Sequence, residues 1–298
     1  MAGFHIVGRE MRVTIYVHFC RFLAVLAALS LAGPLQAQTA APPRLDVPFV
    51  PTPQATVEAM LRVANVGPND FVIDLGSGDG RILITAARLH GARGFGVDIN
   101  PERVKEGTEN AKSAGVSARV QFFQKNLYST SIAEATVVTM YLLPRVNLEL
   151  RPRLLAELKP GTRVVSHDFD MGDWQADLQV SVRGWGSVVY LWIIPAQVAG
   201  RWQVRAPTLR GAESFDIEIT QKYQEIEAAA RGLDRPVTVR DAWLEGGRIA
   251  FTIVDDGDYA HRVRFEGRVS ANMMEGIARG DGSAQRGDRK WRATRAAP

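Results

Sequence analysis

A glycine-rich turn flanked by acidic residues is the feature of this sequence best suited to chemistry. It reads Asp74-Leu75-Gly76-Ser77-Gly78-Asp79-Gly80-Arg81, and Asp98 ends the next apolar run. Glycines let the backbone approach a ligand closely, and a carboxylate at the end of a neighbouring strand can accept hydrogen bonds from ribose hydroxyls. A tight turn beside a surface aspartate would explain one or two of these residues. Three glycines at alternate positions with two strand-end carboxylates favour a nucleoside-binding site.

The spacing within the turn indicates which nucleoside cofactor it would bind. A dinucleotide site has the pattern G-x-G-x-x-G and receives a pyrophosphate at a helix N-terminus, whereas here the pattern is G-x-G-x-G, with Asp74 just before it. That carboxylate would repel a pyrophosphate. It suits a cofactor that is cationic at this point, such as the amino acid and sulfonium of S-adenosylmethionine. We therefore predict that this cofactor is bound by Asp74, Gly76, Ser77, Gly78 and Asp98.

The elements around the turn alternate between strand and helix from residue 51 to residue 196. Thr52 is predicted to cap a first helix opened by Pro53. Apolar runs predict strands at 71–75, 94–98, 120–123, 135–142, 163–166, 180–182 and 187–195, the last two as a hairpin, and helices at about 81–89, from 100 onward and at 147–158. Such alternation predicts a parallel sheet covered by helices on both faces. The expected fold class is therefore α/β, a doubly wound seven-stranded sheet.

The pattern changes after residue 196. Apolar and charged residues alternate around Phe215, Phe251 and Phe265, with turn signals between the runs. Period-two alternation of this kind predicts a small antiparallel all-β domain, a barrel or a sandwich, over residues 197–298. No motif in this region points to chemistry. Its core is predicted to contain Trp202, Trp243 and Trp291, and its basic end is predicted to form a solvated final strand.

The first 37 residues have the pattern of a targeting segment. Basic residues precede an apolar run at 22–32, and Ala37 offers a small residue for cleavage of a secretory signal peptide. The alternative is an uncleaved anchor at residues 13–33, which would place Arg21 within the bilayer. We therefore expect an exported (periplasmic) or membrane-anchored protein, with residues 38–50 as a proline-containing linker.

Composition excludes several classes of protein. Of 298 residues, 46% are apolar and 23% are charged, which is ordinary globular usage rather than that of a disordered or coiled-coil chain. Cys20 is the only cysteine, so an intrachain disulfide or a cysteine-based metal site is excluded, and we predict no metal site. The net charge of +4 is too small to predict a nucleic acid partner.

The sequence resembles the class I S-adenosylmethionine-dependent methyltransferases over about residues 50–196. Their first motif has the form of residues 74–80, and their ribose-binding acid matches Asp98. The segments Val50-Pro51-Thr52-Pro53, Tyr141-Leu142-Leu143-Pro144 and Val164-Val165-Ser166 make the sequence similar to the bacterial relatives of the small mitochondrial protein-lysine methyltransferases. This resemblance implies methyl transfer to a lysine nitrogen of a protein.

The resemblance also implies roles for particular side chains. Pro51 and Thr52 would help to close over the cofactor, while Tyr141 and Pro144 would lie beside the transferred methyl group. Aromatic rings can hold a cationic amine or methylammonium, which makes Tyr141 and Trp174 candidates for that contact. The alternative for Trp174 is simple packing at the sheet edge.

Two positions depart from the family pattern. Phe49 stands where a tyrosine is usual, so that hydroxyl contact is lost. Asn126 stands where an acidic residue usually meets the adenine amino group. An amide oxygen can accept the same hydrogen bond, so Asn126 is predicted to bind the cofactor.

Ser166, His167 and Asp168 follow one another at the end of the fifth predicted strand. Adjacent side chains on an extended chain point to opposite sides, so we expect no hydrolase triad, and the sequence has no G-x-S-x-G turn. His167 or Asp168 is instead a candidate proton acceptor for the substrate.

The methyl acceptor stays open at this point. A protein lysine competes with a small molecule or lipid, and both compete with a non-catalytic scaffold that keeps the nucleoside-binding fold. Because S-adenosylmethionine is made in the cytosol, an exported enzyme would need an external supply of it. An anchor with the domain facing the cytosol, or an inactive domain, would remove that difficulty. The intact turn and Asp98 argue against inactivity.

Overall fold

The computed structural model describes residues 48–184, 186–206, 214–233, 236–256, 258–280 and 287–296. The predicted signal peptide or anchor and most of the predicted linker lie outside the described residues. Within the described part of the chain, no helix is long and apolar enough to cross a membrane.

The first half of the described chain forms a seven-stranded sheet, as the sequence pattern predicts. The strands in chain order are β1 Phe71–Leu75, β2 Arg93–Asp98, β3 Val120–Gln124, β4 Val137–Met140, β5 Arg163–His167, β6 Leu178–Val182 and β7 Ser187–Ile193. Their spatial order is β3-β2-β1-β4-β5-β7-β6. The first five strands pair in parallel, and β6 and β7 form the antiparallel hairpin at one edge. The carboxyl ends of β1, β2, β4 and β5 therefore lie along one side of the sheet.

Four helices of the described chain cover this sheet, and two of them begin at residues other than those predicted. They are α1 Gln54–Val63, α2 Arg81–His90, α3 Pro101–Ser113 and α4 Pro144–Glu157. α3 begins where predicted, and Asn100 caps it, because the Asn100 side chain accepts a hydrogen bond from the backbone N–H of Glu102. The prediction that Thr52 caps α1 is wrong. Pro53 is the N-cap residue and makes no side-chain cap bond, while the Thr52 hydroxyl contacts His167 instead.

The start of α4 also differs from its prediction. The helix begins at Pro144 and not at Asn147, because proline fits the first turn of a helix, where its missing N–H leaves no bond unmade. This places Pro144 in helical geometry on the exposed surface.

The second half of the described chain forms an eight-stranded antiparallel sheet. Its strands are β8 Gly200–Arg205, β9 Ser214–Lys222, β10 Glu225–Arg231, β11 Val237–Glu245, β12 Arg248–Asp255, β13 Asp258–Ser270, β14 Met273–Gly280 and β15 Arg289–Arg295. The spatial order is β10-β9-β8-β15-β14-β13-β12-β11, and β10 and β11 at its two ends contact each other without a ladder. The sheet is thus a nearly closed barrel.

The barrel core is apolar and aromatic. Trp202 and Trp291 are buried in it as predicted, and Trp291 packs edge-on against Phe251 and Phe265. The prediction for Trp243 is wrong, because its indole is half-buried on the outer side, with the Arg248 guanidinium 5.3 Å from the ring centroid.

The barrel contacts the first sheet through a hairpin turn. The Tyr223 ring stacks on Trp174 with 5.7 Å between centroids, and Gln224 accepts a 2.8 Å hydrogen bond from Trp174 Nε1. The backbone N–H of Ala196 donates to the carbonyl of Gly246, in the turn between β11 and β12. These contacts join two separate hydrophobic cores.

Candidate active site

A cavity opens at the carboxyl ends of β1, β2 and β4. Of the residues predicted to bind the cofactor or the methyl acceptor, those lining it are Pro51, Thr52, Gly76, Ser77, Gly78, Asp98, Asn126 and Tyr141. The predicted residues Asp74, Pro144, His167 and Asp168 do not line it. The cavity therefore brings together side chains that lie up to about 90 positions apart in the chain.

The glycine turn is shaped by bonds to the neighbouring strand. The backbone N–H groups of Gly76 and Ser77 both donate to the carbonyl of Val97 at 2.9 Å. Gly78 has φ +52°, and a Cβ there would lie 2.4 Å from the Phe49 ring. Glycine is required at position 78 because any side chain would force the covering segment away from the turn.

Asp98 fastens the turn to the end of β2. Its Oδ2 accepts a hydrogen bond from Gly78 N–H at 3.0 Å, and its Oδ1 accepts one from Asn100 N–H at 2.9 Å. Each carboxylate oxygen has a further lone pair, so Asp98 can hold the turn and still accept from a ligand hydroxyl in the cavity.

Asp74 lies beneath the turn and is 1% exposed. Its Oδ1 accepts a 2.7 Å hydrogen bond from Thr139, whereas its Oδ2 has no hydrogen-bond partner among the described residues. Burial, and to a lesser degree the charges of Asp98 and Asp79, raise the pKa of Asp74 to about 7, against the hydrogen bond from Thr139. Asp74 does not line the cavity, so its contact with the cofactor stays a prediction.

The negative charges beneath and beside the turn restrict which cofactor the site can bind. The charges of Asp79 and Asp98 act on the buried Asp74 carboxylate, and Oδ2 of Asp74 has no hydrogen-bond partner in the described part of the chain. A pyrophosphate would add negative charge to this cluster, while a sulfonium and an ammonium would offset it. The residues fit S-adenosylmethionine.

The segment from residue 48 to residue 52 covers the turn. The Arg103 guanidinium lies 4.7 Å from the centroid of the Phe49 ring, and Arg81 Nη1 donates to the carbonyl of Thr52 at 2.9 Å. Asp79 holds the Arg81 guanidinium at 2.5 Å. The Phe49 ring thus occupies the position where the family pattern has a tyrosine, and it makes packing contacts there. The contacts of Arg81 and Arg103 with the covering segment were not predicted from the sequence. No local pattern links these arginines to a segment that lies about 30 or more residues earlier in the chain.

Asn126 lines the cavity opposite this segment. Its Oδ1 accepts a hydrogen bond from Tyr128 N–H at 2.8 Å and so caps a short 3₁₀ turn, Leu127–Ser129. The oxygen keeps a second lone pair for a ligand amino group, as the prediction requires.

Tyr141 lines the cavity just after β4, and Asp168, which does not line it, follows β5 and lies next to Tyr141. Burial, and to a lesser degree the neighbouring Asp168 carboxylate, raises the pKa of Tyr141. Asp168 Oδ1 also accepts from Val188 N–H at 2.8 Å, and its side chain is 31% exposed. An aromatic ring and an accessible carboxylate are thus held side by side.

His167 lies behind this pair and is fully buried. Its Nε2 is 3.3 Å from Asp168 Oδ2 and 3.0 Å from Ser187 Oγ, and its Nδ1 is 3.2 Å from Thr52 Oγ1. Burial lowers the pKa of His167 despite the neighbouring Asp168 charge, so the ring is neutral at pH 7. A fully buried ring is not placed to receive a proton from a substrate, and of the two predicted acceptors only Asp168 is accessible.

The expectation that His167 and Asp168 point apart is wrong. Asp168 has φ +60°, which ends the extended strand and turns its carboxylate back toward the imidazole. The Ser166 hydroxyl points the other way and donates to the carbonyl of Phe169 at 2.6 Å. The three side chains therefore form no hydrolase triad, as expected, although two of them meet.

Trp174 does not belong to the site. It is 1% exposed, packs between Trp192 and Tyr223, and donates its indole N–H to Gln224. The structural alternative for this residue is correct, because a ring enclosed on both sides has no face left for a substrate amine. Of the two candidates for holding the substrate amine, Tyr141 is the one that lines the cavity.

Comparisons with known proteins agree with this geometry. The model of the ANTKMT methyltransferase domain family matches residues 74–178. A protein-lysine N-methyltransferase of Saccharolobus islandicus is 46% identical over 151 residues, which is 50% of this chain and 94% of that protein. The mouse adenine nucleotide translocase lysine N-methyltransferase is 38% identical over 134 residues, 45% of this chain and 58% of the mouse enzyme.

Among solved structures, an RNA methyltransferase from Salinibacter ruber with bound S-adenosyl-L-homocysteine is 55% identical. The similarity covers 50% of this chain and 96% of that one, with a TM-score of 0.49. The family match ends at residue 178, before the barrel begins.

Proposed function

Because this chain belongs to the S-adenosylmethionine-dependent methyltransferases of the ANTKMT protein-lysine methyltransferase family, we propose that it methylates a lysine side chain of a protein substrate. The observation that carries this proposal is that the Tyr141 ring lines the cavity and the Asp168 carboxylate, which does not line it, lies next to Tyr141. A ring face and a carboxylate together suit a long side chain that ends in an ammonium group.

The cofactor, when bound, supplies a methyl group on a sulfonium that leaves as a neutral thioether. Asp98 is placed to accept hydrogen bonds from ribose hydroxyls, and Asn126 is placed to accept one from the adenine amino group. The buried Asp74 carboxylate favours positive charge above the turn. Phe49 and Thr52 in the covering segment keep water from the cavity, and exclusion of water with alignment is the main requirement of an in-line displacement.

The acceptor amine must lose a proton before its lone pair can form the new nitrogen–carbon bond. Asp168 attracts the ammonium and is the accessible group that can take this proton, while Tyr141 packs against the methylene chain. His167 acts as a positioning residue. With its proton on Nε2, toward Asp168, its Nδ1 accepts from the Thr52 hydroxyl and so connects the carboxylate to the covering segment.

The experiment is transfer of labelled methyl from S-adenosylmethionine to proteins of a bacterial extract, followed by hydrolysis and identification of the methylated amino acid. We expect ε-N-methyllysine. Asp168→Asn keeps the bond from Val188 N–H and should reduce kcat roughly a hundredfold or more, as loss of a general base does, with cofactor affinity unchanged. Asp170→Asn is the matched control, because Asp170 is exposed and its contact with Gly172 N–H survives the change.

Label recovered only in lipids or small molecules would overturn the lysine proposal in favour of the alternative acceptor class. Cofactor binding with no transfer to any fraction would support the non-catalytic alternative. Equal kcat for Asp168→Asn and wild type would remove Asp168 from the mechanism and leave the acceptor assignment standing.

We also propose that residues 1–37 direct export of the protein. The support is the order of basic residues, the apolar run at 22–32 and the small residue Ala37. N-terminal sequencing of the protein from fractionated cells tests this proposal. A mature chain that starts after Ala37 in the periplasmic fraction would support it, and an intact N-terminus in the membrane fraction would indicate anchoring instead.

A further inference from the structure

The outer face of the barrel carries a groove rich in cations, which we call the cationic groove. It runs across β8 and β11 to β15, and its basic side chains are Arg205, Arg248, Arg268, Arg279, Lys290 and Arg292. All six are exposed. Two carboxylates, Glu266 and Glu275, lie among them. The groove lies outside the part of the chain matched by the family, so the methyltransferase fold does not account for it.

The register of the barrel places arginines directly opposite each other in this groove. Arg205 of β8 pairs with Arg292 of β15, and Arg248 of β12 pairs with Arg268 of β13. Like charges at directly opposed positions of neighbouring strands destabilise a sheet. The fold would be more stable with neutral residues at these positions.

The ion pairs of the groove leave much of this repulsion in place. Arg279 is paired with Asp288 at 2.9 Å and with Glu266 at 3.2 Å. Arg292 reaches Glu275 only at 3.5 Å, and Arg248 reaches Glu245 at 3.2 Å. Arg205, Arg268 and Lys290 have no ionic partner among the described residues. Unfavourable charge retained on a surface is typical of a binding site, because the ligand supplies the opposite charge.

The floor of the groove offers contacts of another kind. Gly267 and Gly276 pair across β13 and β14 and line the groove. Trp243 and Ile277 are half-buried at the walls. The groove thus combines apolar contacts and backbone with spaced positive charges.

We propose that the cationic groove docks an acidic segment of a protein partner and, resting on the proposed function, that this partner is the methylation substrate. Charge complementarity favours an acidic ligand. A peptide can place carboxylates opposite the arginines and uncharged residues opposite Glu266 and Glu275. A nucleic acid carries a phosphate at every step and would meet both carboxylates, and a flat membrane does not enter a groove.

The test uses the full-length protein and a fluorescent peptide of Glu, Ala and Leu, with binding followed by anisotropy. We expect binding that weakens severalfold between about 50 and about 300 mM NaCl, since exposed charges are screened over this range. The double variant Arg205→Gln/Arg268→Gln should bind about tenfold more weakly. Its Tm should equal or exceed that of wild type, because each substitution removes a like-charge pair.

Two exposed arginines on the helices of the first sheet provide the matched control. Arg62→Gln/Arg88→Gln removes the same charge elsewhere and should leave peptide affinity unchanged. Equal weakening in both double variants would show a general charge effect and overturn the proposal. Failure of the acidic peptide to bind, or tighter groove-dependent binding of single-stranded DNA or phosphatidylglycerol vesicles, would overturn it as well.

Peptide binding to the groove needs neither cofactor nor turnover. The docking proposal can therefore be overturned while the proposal of lysine methylation stands, and lysine methylation can be overturned while docking stands. The link to the substrate has its own measurement. A lysine peptide extended by an acidic tail should show a KM about tenfold higher with the Arg205→Gln/Arg268→Gln variant than with wild type, at equal kcat. Equal KM values would separate the groove from substrate recognition.

Discussion

The two sheets of this protein place their charges in opposite ways. The first sheet buries Asp74 and His167 beneath a cavity at its strand ends, and each has a pKa displaced by that burial. The barrel packs an aromatic core of Phe251, Phe265 and Trp291 and presents its arginines on the outer face. In the first region, substitutions at the site should change stability and ligand binding together. In the second, the core determines stability and the surface determines binding.

The largest effect that this contrast predicts is in the barrel core. Phe265→Ala removes a buried ring stacked on Phe251 at 4.9 Å between centroids, and should lower the free energy of unfolding by roughly 3 to 5 kcal/mol. Affinity of the remaining folded protein for S-adenosylmethionine should not change. Urea unfolding and calorimetry measure the two quantities, with Leu178→Ala, at a 45% exposed position, as the control. A parallel loss of affinity would show that the barrel supports the cavity directly.

The next effect lies in the cavity. Asp98→Ala removes the acceptor for Gly78 N–H and Asn100 N–H together with the proposed ribose contacts, each charge-assisted bond contributing roughly 1.5 to 3 kcal/mol. We expect a Kd for S-adenosylmethionine raised about tenfold or more in a protein that still folds. Calorimetry and circular dichroism measure this. An unchanged Kd in a folded variant would place the carboxylate outside the binding site.

An effect of opposite sign on stability is expected at Asp74. Its pKa of about 7 in the folded protein exceeds the ordinary value of 3.8, so the folded state keeps a proton that the unfolded state has lost. The ligand-free protein should therefore lose stability as pH rises from about 4 to about 7 and stay less stable above that range.

Asp74→Asn should abolish the loss of stability between about pH 4 and about pH 7, because an amide does not titrate. Above pH 7 the variant should have a higher Tm than ligand-free wild type, the difference should shrink toward pH 4, and S-adenosylmethionine should bind more weakly. Thermal melts across this range check it, with exposed Asp170→Asn as the control. A Tm difference independent of pH would contradict the burial of a charge at Asp74.

The smallest expected effect concerns the boundary between the regions. Residues 38–196 should fold alone and bind S-adenosylmethionine within about twofold of the full chain, because all cavity residues precede residue 197. The archaeal relative aligns over 94% of its own length with only half of this chain. Turnover on the natural acceptor should fall. Loss of Tyr223 and Gln224 uncovers Trp174, so the Tm should also fall. Insoluble or molten material would contradict the boundary.

The sequence allowed prediction of both sheets and of eight of the residues that line the cavity. The glycine turn and Asp98 could be recognised because their geometry depends on neighbours in the chain, and glycine has few substitutes at positive φ. Predictions failed where the sequence allowed two different contacts for the same side chain. Thr52 could cap a helix or bind a distant histidine, and Trp174 could face a substrate or a second domain.

The sequence by itself determined the alternation of strands and helices, the change to period two after residue 196, and the cofactor turn. These features depend on hydrophobic periodicity and turn chemistry, which act over a few residues. Only the tertiary structure decided that Thr52 meets His167 across 115 positions, and that Asp168 turns back to its neighbour. It also decided that Arg205 faces Arg292. Such pairs depend on strand order and register, which are set by the packing of the whole chain and leave no local pattern.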